Sequence, residues 1–83
     1  MEKFTWLLTS EVAETVDKVS KRERAVLFLI FDQISRFPHA SGVEIGGTGR
    51  KRPAFHQLFG RWSVLWWVDF PVKEIHILQI DRH

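Results

Sequence analysis

Arg82 and His83 stand side by side at the C-terminal end of the sequence, Arg61 follows a glycine, and Arg50-Lys51-Arg52 is the densest cationic cluster. An imidazole can take up or release a proton near neutrality. The planar guanidinium fork matches the geometry of a phosphate group. Glu44, in a glycine-rich stretch, adds a carboxylate that could serve as a base, and Trp66 and Trp67 offer ring faces on which a nucleobase could stack. Together these side chains could bind a phosphodiester and move protons beside it. His56 and His76 fall within strand-like runs and read first as packing residues. Histidines so spaced provide no local metal-ligand pair, so no metal or other cofactor is expected. Walker, dinucleotide-binding, serine-hydrolase elbow and zinc-protease motifs are all absent from the sequence.

Charge distribution points the same way. Of 12 Lys and Arg and 10 Asp and Glu, residues 1–20 hold two basic and four acidic side chains, which leaves ten basic and six acidic for residues 21–83. A phosphate-rich partner finds its complement in that second part, although a short basic cluster is as readily solvated loop surface. With no cysteine, disulfides and thiolate metal sites are excluded, and the chain fits a reducing cytoplasm. The longest apolar run, Ala25 to Phe31, is too short to span a bilayer, so no membrane partner is expected. Hydrophobic residues at 45% and charged residues at 27% describe a chain that folds, and 83 residues make one domain, 1–83.

The elements that must position these residues follow from periodicity. Phe4 to Leu8 is a bulky run of strand formers, followed by Ser10 as a helix cap and Glu11 in the first turn. Val12, Val16 and Val19 give one narrow stripe on a helix from about Glu11 to Val19. Ser20-Lys21-Arg22-Glu23 is a capping box that opens a second helix, with Glu23 expected to reach back to the Ser20 amide. Its stripe is Val26, Leu27, Ile30, Ile34 and Phe37. Phe28, Leu29 and Phe31 widen it, which makes Phe28 and Phe31 candidates for a partner surface unless the two helices bury them. His39 to Pro53, with four of the five glycines, reads as a loop with at most a brief extended piece at Val43-Glu44-Ile45. Three strands follow, roughly Ala54–Phe59, Trp62–Asp69 and Val72–Asp81, too closely spaced for anything but antiparallel hairpins. Strict alternation puts Ile75, Ile77, Gln79 and Asp81 on one face and His76, Leu78, Ile80 and Arg82 on the other. The predicted fold is α+β: an N-terminal strand, a two-helix hairpin, then a three-stranded antiparallel meander forming one sheet with the first strand.

That order of elements resembles the RelE/ParE toxin superfamily. The opening Phe4-Thr5-Trp6-Leu7-Leu8-Thr9-Ser10-Glu11-Val12-Ala13 looks like the family's strand running into helix one. Gly60-Arg61-Trp62-Ser63-Val64-Leu65-Trp66 is similar to its "G-x-Y-R-V-x-Y" strand. The ending, from Val72 to His83, is similar to "V-x-I-L-x-I-x-x-R" and closer still to HigB-type members that finish on "D-x-H". The resemblance spans nearly the whole chain as a pattern rather than as identities. It implies the cytoplasmic toxin of a toxin–antitoxin pair, a monomer or a complex with its antitoxin, cutting messenger RNA on the ribosome by attack of the RNA's own 2′-hydroxyl. In that chemistry His83 is the base or acid, Arg82 and Arg61 clamp the charge on the phosphorane, and Glu44 is a second base. Arg50, Lys51, Arg52, Trp66 and Trp67 then bind RNA. Ser63 and Trp66 stand where the family pattern has arginine and tyrosine, and the chain has no tyrosine at all.

Two other readings stay open at this level. A ParE-like or catalytically degraded member would act by docking on a protein such as DNA gyrase. A small orphan α+β protein would use its aromatic sheet face to form a homodimer.

Overall fold

The computed structural model describes residues 3–37, 43–45 and 54–83. The elements run β1 (Thr5–Leu8), α1 (Ser10–Lys18), α2 (Lys21–Arg36), β2 (Val43–Ile45), β3 (Ala54–Phe59), β4 (Trp62–Asp69) and β5 (Glu74–Arg82). They build one five-stranded sheet in the order β1-β5-β4-β3-β2. The three-strand meander forms as its short connections require, and β1 joins it parallel to β5. The brief extended piece at 43–45 adds to the other edge as β2, antiparallel to β3.

Both helices lie on one face of the sheet. From the helices, Val12, Val16, Leu27, Ile30, Phe31 and Ile34 are buried. The sheet opposes them with Phe55, Trp62, Val64, Trp66, Val68, Ile75, Ile77 and Ile80. Each such side chain contributes roughly 1.5–3 kcal/mol on leaving water, so this layer is what holds so short a chain folded. Trp6 of β1 contributes at the rim, its ring centroid 5.3 Å from that of Phe31 and 5.7 Å from that of Phe28. Phe31 is therefore a core residue and not a partner contact. The two phenylalanines pack against Trp6 at the sheet edge, and Phe28 keeps an exposed side.

β5 departs from strict alternation. Leu65 pairs with Gln79 while the adjacent Trp66 pairs with Ile77, so Leu78 is an extra residue accommodated as a bulge. Beyond it the faces exchange. Ile80 joins Ile75 and Ile77 under the helices, and Gln79 and Asp81 move to the open face, where the Gln79 amide donates to the Asp81 carboxylate at 2.7 Å. The expected grouping of Ile80 and Arg82 with His76 is corrected accordingly.

The helix starts also differ in detail from expectation. Thr9, not Ser10, caps α1: its Oγ1 accepts the Val12 amide at 3.3 Å. Ser20 caps α2 as predicted, accepting the Glu23 amide at 3.1 Å. Glu23, however, does not complete the box through the Ser20 amide. Its Oε1 accepts the Ser20 hydroxyl at 3.4 Å, and its Oε2 meets Arg82. At the far end of α2, the Phe4 amide donates to the Ser35 carbonyl at 2.9 Å, and Asp32 pairs with both Lys3 and Arg36. The hydrogen bond from Lys3, reinforced by the charges of Lys3 and Arg36 and opposed by desolvation, holds the Asp32 carboxyl below its ordinary range.

Candidate functional site

Three segments far apart in sequence meet at one corner of the sheet. The first is the β3–β4 turn, where Gly60 and Arg61 are the two residues between the paired Phe59 and Trp62. Gly60 has φ +61°, the positive first position of a two-residue hairpin, and its lack of a Cβ makes that conformation inexpensive. Arg61 is thereby exposed at the tip. The second segment is the end of β5: the His83 amide donates to the Arg61 carbonyl at 2.7 Å, which brings His83 beside the turn. The third is the start of α2. Because the bulge turns Arg82 toward the helices, its Nη1 reaches Glu23 Oε2 at 2.5 Å, across 59 residues of sequence.

The backbones of Arg61, Arg82 and His83 thus lie together at this corner. Arg82 is not a free clamp, since Glu23 holds it, although its side chain remains 55% exposed. Glu23 is a member of the corner that the sequence assigned only to a cap. The signal present was the capping box itself, which puts a carboxylate at the start of α2, but nothing local tells that β5 ends there.

The other candidates lie elsewhere. Trp66 is 1% exposed on the helix face, with ring centroids 5.8 Å from Phe55 and 6.3 Å from Phe59, and it cannot stack a nucleobase. Trp67 lies on the open face, stacked on His76 with centroids 3.9 Å apart and planes 3° from parallel. His76 Nε2 is 3.4 Å from Glu74 Oε1. The backbone of Glu44 pairs with Phe55, four residues before Phe59 at the β3–β4 turn, or about 13 Å of strand away from it. Arg50, Lys51 and Arg52 fall outside the described residues. No cluster of potential metal ligands occurs among the described residues, and no helix among them is long and apolar enough to cross a membrane.

The fold is that of RelE toxins in solved toxin–antitoxin complexes. The archaeal RelE–RelB complex from Pyrococcus horikoshii OT3 contains a chain that superposes with a TM-score of 0.77 at 16% identity, over 98% of this chain and 96% of that one. The toxin–antitoxin complex RelBE2 from Mycobacterium tuberculosis gives a TM-score of 0.79 at 22% identity, over 99% of this chain and 100% of its counterpart. No protein-family model matches the sequence, and no curated protein matches it either.

Proposed function

We propose that this protein is the toxin of a type II toxin–antitoxin pair and that it cleaves messenger RNA on the ribosome at the Arg61/Arg82/His83 corner. The observation that supports the reading most is the 2.7 Å hydrogen bond from the His83 amide to the Arg61 carbonyl, which joins the backbones of the two residues at an exposed hairpin tip. In the proposed reaction the RNA 2′-oxygen attacks the adjacent phosphorus and the bond to the 5′-oxygen breaks. The products are a 2′,3′-cyclic phosphate and a 5′-hydroxyl. His83 takes the 2′-hydroxyl proton or supplies one to the leaving oxygen, and Arg61 and Arg82 stabilise the charge that builds on the phosphorane. No metal enters these steps.

The partner in the resting state is the cognate antitoxin. The exposed apolar side of α2 supports such an interface: Leu29 is 71% exposed, with Val26 and Phe28 beside it. Induction of the protein without an antitoxin is expected to arrest growth and to produce new transcript ends within translated regions. His83→Ala, folded as the parent is, restores growth. Arrest with intact transcripts and broken DNA points instead to gyrase, and absence of any arrest removes the toxin reading.

A further inference from the structure

Glu23 departs from the capping box that its own sequence offers. In such a box the carboxylate at the third helical position reaches back to the amide of the capping serine. Here Oε1 accepts the Ser20 hydroxyl at 3.4 Å instead, and Oε2 takes Arg82 Nη1 at 2.5 Å. A side chain that gives up a local hydrogen bond for a distant one breaks a local rule in the way functional sites do. The turn that carries Glu23 is itself anchored. Ser20 caps it by accepting the Glu23 amide, and the next residue, Arg24, donates Nε to the Val16 carbonyl at 3.0 Å and Nη2 to the Asp17 carbonyl at 3.1 Å. Those bonds tie the start of α2 to the end of α1, so the Glu23 carboxylate is mounted on a fixed support.

Arg82 gains from being held. It is the last residue of β5, and its long side chain is 55% exposed. Left unheld, such a side chain samples many rotamers, and ordering it costs entropy at the moment it must meet a developing charge. The contact with Glu23 occupies Nη1 alone. Among the described residues nothing engages Nε or Nη2, so that edge of the guanidinium still matches two phosphate oxygens.

We infer that Glu23 is the positioning residue for Arg82 in the proposed cleavage, holding the guanidinium by Nη1 so that its Nε–Nη2 edge is set for the phosphorane before RNA arrives. The inference rests on the toxin reading for its reaction. Glu23 itself touches no RNA and moves no proton. Because the charge that Arg82 meets builds in the transition state, loss of the support falls on kcat and leaves KM near the parent's.

The test is cleavage of messenger RNA on programmed ribosomes by the full chain, with kcat and KM measured for the parent, Glu23→Gln, Arg82→Gln and the double variant. Glu23→Gln keeps the size of a partly exposed side chain, so the variant folds, as its melting temperature checks. Glu11→Gln removes the first-turn carboxylate of α1 and controls for lost charge at a helix start. Glu23→Gln is expected to lower kcat at least about tenfold with KM within about twofold, and Arg82→Gln to lower it at least as much. The double variant falls no further than Arg82→Gln alone, and Glu11→Gln behaves as the parent does. A purely structural role for Glu23 slows the Arg82→Gln protein by the same factor as the parent, and that result overturns the inference. So does a parental kcat in either single variant, or a faster Glu23→Gln, which makes the carboxylate a competitor of phosphate for Arg82. In each of these cases cleavage that depends on His83 leaves the toxin reading standing. A parent that cleaves nothing overturns both.

Discussion

Arg82 Nη1 lies 2.5 Å from Glu23 Oε2, joining the last residue of β5 to the first turn of α2. The pairing exists only because Leu78 bulges and exchanges the faces of β5, so a local irregularity decides which surface the C-terminal cation serves. With half of the arginine side chain still in solvent, the pair orients Arg82 more than it stabilises the fold. A double-mutant cycle with Glu23→Gln and Arg82→Gln is expected to give a coupling of about 0.2–1 kcal/mol. That coupling should shrink as salt approaches molar concentrations.

The bulge predicts unequal costs for neighbouring residues. Ile80→Ala empties a buried site and is expected to destabilise the protein by about 2–4 kcal/mol, close to Ile77→Ala. Gln79→Ala, on the exposed side, should stay within about 0.5 kcal/mol of the parent. Urea unfolding of the three variants checks this, and similar losses at 79 and 80 would contradict the exchanged faces.

The two adjacent tryptophans should differ in the same assay. Trp66→Ala removes a side chain enclosed by Phe55 and Phe59 and is expected to cost about 3–5 kcal/mol, enough to threaten folding of a small domain. Trp67→Phe keeps a ring against His76 and should cost under about 1.5 kcal/mol. Of the two single-tryptophan substitutions, only that at 67 should remove fluorescence that a soluble quencher reaches.

Asp32 gives the pH prediction. Its carboxyl is held below the ordinary range chiefly by the Lys3 hydrogen bond, so the folded state favours the charged form more than the unfolded state does. The resulting stabilisation is present above the unfolded-state value and is lost as pH falls through the lowered folded-state value. Asp32→Asn is therefore expected to be less stable than the parent at neutral pH, with the difference closing in acid. Melting temperatures of both proteins between neutral and strongly acidic pH check the sign.

Much of this fold is legible from the sequence, since periodicity and turn chemistry act locally. The Ser20–Glu23 cap and the Gly60-Arg61 hairpin follow from residues within a few positions of each other. The central position of β4 follows from its two apolar faces. What alternation could not reveal was the extra residue at Leu78, because Ile77, Leu78 and Ile80 are all apolar and either register reads equally well. The same slip hid the meeting of Arg82 with Glu23. Trp66 and Trp67 were alike as residue types, and only the sheet's facing separates a core ring from one on the open surface. The backbone neighbourhood of Arg61 and His83 was legible, because a hairpin turn and the far end of the next strand must lie side by side. The role of α2 was not, since it depends on tertiary contact alone.

The most direct test of the central claim is cleavage of messenger RNA on programmed ribosomes by the purified protein, with product ends identified chemically. Metal-independent cuts carrying 2′,3′-cyclic phosphate and 5′-hydroxyl ends are expected. They should be reduced at least about a hundredfold by His83→Ala in a variant that melts like the parent, as is typical when a proton-transfer group is missing. Equal cleavage by His83→Ala, or no cleavage by the parent, would contradict the claim.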